Sequence, residues 1–157
     1  MLFRSIGADN SGKLVALVKK EAKNIAQQRK IPWVLVDGSP GIGCPVISSL
    51  SGAHFVVLVT EPTESGFHDL RRVVELVNKF KIRAGCIINK SDLNHDIREQ
   101  ITHYLHKQKI SLIDTFPYDE IYTKTMTNGQ TLAESENRFW SEKLQSAWNR
   151  IKELANQ

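Results

Sequence analysis

Four short apolar runs constrain this chain more than any other feature: Trp33–Val36, Phe55–Thr60, Ala84–Ile88 and Ser111–Phe116. Each is rich in β-branched residues and too short for a helix, the pattern of strands buried on both faces. Helical segments are expected between them at Pro45–Gly52, Gly66–Phe80 and Asp96–Gln108; in the second, Leu70, Val73, Val74, Val77 and Phe80 line one face. Strand and helix alternating in this way require right-handed crossovers. The expected fold is therefore α/β: a mainly parallel sheet of about four to five strands with helices on both faces, as one domain over residues 1–157. Ligands of such folds sit beyond the carboxyl ends of the strands, so function is sought there.

Composition narrows the class. The chain has 157 residues, 41% hydrophobic and 24% charged, which excludes disorder, collagen and coiled coil. The net charge is only +4, and basic residues are scattered as Lys19-Lys20, Arg71-Arg72 and Lys107 with Lys109, so no nucleic-acid partner is expected. Two cysteines, Cys44 and Cys86, outside any C-x-x-C pattern, fit a reducing cytoplasm. No apolar run is long enough for a membrane span and no signal peptide is recognisable, so a soluble, cytoplasmic protein without a membrane partner is expected. The tail Glu136–Gln157 repeats Trp140, Leu144, Ala147, Trp148, Ile151 and Leu154 at helical spacing. Such a stripe reads as a core-facing helix, with a partner-binding face as the alternative.

Near the start, Gly7–Leu14 reads GADNSGKL and almost completes the phosphate loop G-x-x-x-x-G-K-[ST]. Leu14 has no oxygen for magnesium, and only a short strand in MLFRSI could precede it. The favoured reading is a helix start: Asp9, Asn10 or Ser11 as cap, Gly12-Lys13 as first turn, then Leu14, Leu17, Val18, Ala22, Ile25 and Ala26 at helical spacing.

The expected strand ends carry polar chemistry. Asp37 closes the first strand, placed like a carboxylate that organises magnesium through water. Gly38, Pro40, Gly41 and Gly43 follow in a loop able to approach a ligand, with a plain strand-to-helix turn as the other reading. Thr60, Thr63 and Ser65 follow the second strand, Ser65 as the expected helix cap. His68 and Asp69 read as a solvated pair. After the third strand, Asn89, Lys90 and Asp92 spell N-K-x-D: the aspartate can accept from a guanine edge, the asparagine can reach a base and the lysine stem can pack on a ring. Asp92 or Asn94 is equally a helix cap. After the fourth strand, Pro117 sets a turn and Tyr118 can stack on a base or cover the core. His103 and His106 lack further ligands for zinc, and Cys44, in a glycine-rich turn, reads as a small buried residue, with a reactive thiol as the alternative.

These stretches together resemble the carboxyl-terminal half of the MinD/ParA/Mrp group of P-loop ATPases, in the branch with an inserted ferredoxin-type iron–sulfur domain. The residues concerned are NSGKLV at 10–15, DGSPGIGCPVISSLSGA at 37–53, VTEPTESGFHDL at 59–70, INKSDLN at 88–94 and PYD at 117–119, which span nearly the whole chain in family order. The resemblance implies ATP and Mg2+, with switching or hydrolysis tied to dimerisation. It implies Asp37 as the Walker B-like carboxylate, Gly38–Gly43 as the phosphate-sensing switch, Asn89 against adenine, and Pro117 with its neighbours lining the base pocket. In this family N-K-x-D need not mean guanine.

One departure from the family is large. These 157 residues contain neither a K-G-G-x-G-K-T-type loop nor the cysteine clusters of that branch. The resemblance thus implies a fragment or truncated relative, with the missing half or a second copy as partner. Electrostatic stabilisation of the phosphates dominates phosphoryl transfer, so poor ATP hydrolysis and no iron–sulfur cluster are expected. A non-catalytic interaction module and a guanine-nucleotide switch using Asn89 and Asp92 stand as alternatives.

Overall fold

Three of the four apolar runs are strands: β1 at Phe55–Thr60, β2 at Arg83–Asn89 and β3 at Ser111–Phe116. They pair in parallel in the order β1-β2-β3. The computed structural model describes residues 6–39, 41 and 43–157, with side chains from residue 12 onward. The helices are α1 (Ile6–Gln28), α2 (Cys44–Leu50), α3 (Glu64–Lys79), α4 (His95–Lys107), α5 (Ile121–Thr127) and α6 (Arg138–Asn156), with a 3-10 turn at Leu132–Glu134. The chain divides into two compact units: Met1–Ala53 with Arg72–Ile82, and His54–Arg71 with Arg83–Gln157.

The second unit holds the sheet. An extra residue in β3 shifts the register between Cys86 and Ile87. Ile87 packs with Ile113, Phe116, Ala147, Leu144 and Trp140, placing α6 on that face. By strand alternation Cys86 and Ile88 point to the other face, and both are fully buried. Arg83 reaches across from β2 and donates to the carbonyls of Leu154 and Ala155, each at 2.9 Å. It thereby caps the carboxyl end of α6, where oxygens would lack partners and a cation is favoured.

The fourth expected strand, Trp33–Val36, does not form. These residues lie in no strand, and Leu35 is 84% exposed. A doubly buried parallel strand needs neighbouring strands at its edges, and the sheet of β1, β2 and β3 does not include this run. The described sheet therefore has three strands, against the four to five expected. The strand anticipated in MLFRSI falls largely on residues 1–5, outside the described residues.

In the first unit, GADNSGKL is neither a loop nor a helix start: α1 is already helical from Ile6. Gly12 is buried, and a β-carbon there would meet Ser48 Oγ at 3.0 Å and the Cys44 carbonyl at 3.7 Å. The glycine that suggested a phosphate cradle is what lets α1 approach α2. Lys19 is tied there too, donating to the carbonyls of Ser48 (3.1 Å), Ser49 (2.5 Å) and Ser51 (2.7 Å) at the end of α2. Desolvation by burial lowers its pKa.

One joint recurs three times. Lys30-Ile31, Lys81-Ile82 and Lys109-Ile110 follow α1, α3 and α4, each lysine with φ between 54° and 57°. The isoleucine N–H then closes on the carbonyl five residues back: Ala26, Val77 and Leu105 respectively. These are Schellman stops, in which lysine takes the left-handed position usually given to glycine.

Candidate functional site

The carboxyl ends of β1, β2 and β3 in the second unit carry an interlocked set of polar groups. At the end of β1, Thr60 Oγ1 donates to the Gly66 carbonyl at 3.0 Å, and the Gly66 N–H donates to Thr63 Oγ1 at 3.0 Å. Thr63, not Ser65, therefore caps α3. The tight turn carries Glu61, whose Oε1 lies 2.8 Å from Lys90 Nζ. Lys90 has φ 49°, a left-handed backbone that turns the chain off β2 immediately after Asn89.

Beyond β2 the ladder continues by one bond, from the Ser91 N–H to the Phe116 carbonyl at 2.9 Å. Asp92 then crosses to the next loop: its Oδ1 accepts the Tyr118 N–H at 2.7 Å. Capping of α4 falls to Asn94, whose Oδ1 accepts from the Ile97 N–H at 3.0 Å. Asn89 and Pro117 are half-buried beside an exposed Tyr118. Asn89, Lys90, Asp92, Pro117 and Tyr118 are thus brought together by two adjacent loops joined by backbone and carboxylate bonds.

Asp119 anchors the second loop to the core. Its Oδ1 accepts the Ile121 N–H at 2.9 Å, and its Oδ2 accepts Trp140 Nε1–H at 2.7 Å. The Ile121 bond first, then the Trp140 bond, hold its pKa below the usual carboxylate range, with the Lys124 charge assisting. A folded-state pKa below the unfolded one contributes stability that is full above the unfolded value and lost as pH falls through the folded one. Acid unfolding of Trp140→Phe, which lacks the indole donor, should therefore show a shallower loss of stability with falling pH than wild type. Equal slopes in paired denaturant titrations would remove this carboxylate from the acid response.

The other expected site residues belong to the first unit. Asp37, Gly38, Gly41 and Gly43 are exposed and lie in no strand, so Asp37 does not close one. Gly41 has φ 86°, and Gly43 directly precedes α2. Pro40 lies outside the described residues. Cys44 is exposed, against the expectation of burial, because it opens the short helix α2; the buried thiol is Cys86, with its pKa pushed up to about 12 by desolvation. His68 Nδ1 lies 3.6 Å from Asp69 Oδ1, both well exposed. Among the described residues no three His, Cys, Asp or Glu side chains gather as a metal site, and no helix is long and apolar enough to cross a membrane.

Sequence reading missed Glu61 and Asp119. Glu61 has no motif of its own, and its partner comes from another strand. The signal for Asp119 was its place in the P-Y-D turn ahead of a buried tryptophan.

No protein-family model matches the chain. Two uncharacterized proteins of Methanocaldococcus jannaschii are similar to it. One is 28% identical over 149 residues, covering 95% of this chain and 49% of the relative. The other is 26% identical over 152 residues, covering 96% and 49%. The chain thus spans about half the length of the curated relatives it matches. Among solved structures, the Pyrococcus furiosus cell division ATPase MinD matches with a TM-score of 0.73 at 18% identity, covering 91% of this chain and 59% of that one. The chain therefore has a MinD-like α/β fold with a parallel sheet.

Proposed function

We propose that this chain is a partial MinD/ParA-like ATP-binding domain that holds the base side of the nucleotide and hydrolyses ATP weakly or not at all on its own. The observation that carries the reading is the pair of joined loops after β2 and β3, linked by Ser91 to Phe116 and by Asp92 to Tyr118. They carry the half-buried Asn89 and the exposed Tyr118 at the carboxyl ends of two adjacent parallel strands, where such folds take ligands. A planar base fits this set: an amide for its edge and a ring for its face.

The phosphate side fits less well. In Gly7–Leu14 the backbone N–H groups from residue 10 onward are spent inside α1, and Lys13 and Leu14 are exposed on that helix. Asp37, Gly38, Gly41 and Gly43 belong to the first unit and lie in no strand, so the proposal rests on the base-side residues of the second unit alone. Two cysteines are too few for a four-cysteine cluster, so any iron–sulfur association belongs to relatives of the resembled branch.

A second reading, an interaction module, is favoured by one observation: Leu14, Leu17, Val18 and Ile25 are exposed on α1. Such a stripe suits a partner, either a second copy or the half of the relatives that the chain does not span. Calorimetric titration with ATP, ADP and GTP plus magnesium tests both. Binding of ATP or ADP, with phosphate release at background rate, supports the proposal. Silence with every nucleotide leaves the interaction module.

A further inference from the structure

The end of α2 gathers carbonyl oxygens around one positive charge. Of the carbonyls from Ile47 to Ser51, Ile47 accepts the Ser51 N–H at 2.9 Å and Leu50 accepts the Ala53 N–H at 3.0 Å. The remaining three, those of Ser48, Ser49 and Ser51, accept from Lys19 Nζ at 3.1, 2.5 and 2.7 Å. An ammonium has three donors, so these bonds use all of them. Lys19 reaches the spot because it stands about two turns along α1 from Gly12 on the same face, and Gly12 is where α1 comes up against Cys44 and Ser48 of α2.

Neutral oxygens converging at the carboxyl end of a helix, where positive charge is favoured, make the donor set of a hard cation. All three are carbonyls, whereas divalent cations are commonly held with carboxylates. Rings of carbonyls are what replace the water shell of potassium. We propose that the end of α2 is a binding site for a monovalent cation of ammonium or potassium size, and that Lys19 is its resident occupant. The site lies within the first unit and does not rest on the nucleotide reading. Without Lys19, three oxygens at a helix end lose their donor, and a free ion of the same size and charge can take its place.

The test compares thermal unfolding of wild type, Lys19→Ala and Lys19→Met in ammonium, potassium, lithium and tetramethylammonium chloride at equal ionic strength. Lys19→Ala removes the charge and opens its space; Lys19→Met removes the charge and keeps that space filled. The midpoint of Lys19→Ala should be about 2–4 °C higher in ammonium or potassium than in tetramethylammonium, with lithium giving no gain because it is too small. Wild type and Lys19→Met should have one midpoint in all four salts. An equal response of Lys19→Ala to every salt, or the same selectivity in wild type, overturns the site. Should Lys19→Ala not fold in tetramethylammonium, folding in ammonium supports the site and failure in all four salts overturns it. Wild type supplies an independent measurement: by nuclear magnetic resonance, the Lys19 ammonium protons should exchange with water about tenfold more slowly than those of Lys20, which is exposed on the same helix. Equal exchange at the two lysines overturns the occupancy.

Discussion

Replacing Trp140 by alanine should cost about 3–5 kcal/mol of folding stability, the range for truncating a large buried aromatic. Trp140 is 1% exposed. Its ring lies 6.1 Å from Phe116 in a stacked arrangement, and 5.1 Å from Tyr122 and 5.2 Å from Phe139 edge-on. It belongs to the cluster of Phe116, Leu132 and Ala147, and its indole N–H is bonded to Asp119. The sheet, α6 and the turn after β3 meet at this one side chain, so the cavity left by alanine cannot close by a local rotamer change. A typical domain has only about 5–15 kcal/mol in total, so the variant should be close to unfolding at 37 °C. Equilibrium denaturant titration measures it, and a loss below about 1 kcal/mol would show that the tail docks by other contacts.

Gly66→Ala should have the next largest effect, about 1–3 kcal/mol, as for overpacking of a tight site. A β-carbon at Gly66 would collide with the Glu61 carbonyl oxygen, and would stand 3.0 Å from Thr63 Oγ1 and 3.3 Å from Thr60 Oγ1. The first obstacle is backbone, so no rotamer relieves it. Either the turn at residues 60–63 shifts and draws Glu61 from Lys90, or the first turn of α3 unwinds and loses its Thr63 cap. Both outcomes disturb the strand-end site, so nucleotide affinity should fall alongside the unfolding midpoint. A midpoint and affinity equal to wild type would mean that the turn gives way freely and does not set the site.

Much of this was legible in the residues. Phe55–Thr60 and Ser111–Phe116 were read to their ends, and β2 differs by one residue on each side, because continuous β-branched runs of that length have few other homes. The tail helix was legible because its apolar period is long. The failures share a cause. Trp33–Val36 has the composition of a strand, but a strand exists only where another pairs with it. Gly12 and Lys13 have the spacing of a phosphate loop, but a glycine permits a tight loop and a tight helix contact equally well. At the site, Asn89, Lys90, Asp92, Pro117 and Tyr118 could be nominated from their places after strands. Glu61 could not, since nothing local distinguishes a glutamate that pairs across two strands from one in water.

The residues alone determined what depends on near neighbours along the chain: the three strands that formed, the helices between them, and the parallel sense of the sheet. Those follow from periodicity, crossover length and local backbone preference, which act over a few residues. Tertiary structure alone decided which glycine serves packing, which apolar runs join the sheet, and what Asp92 holds. Each of those outcomes turns on a partner tens of residues away, such as the 26 between Asp92 and Tyr118, and no local pattern encodes the identity of a distant partner.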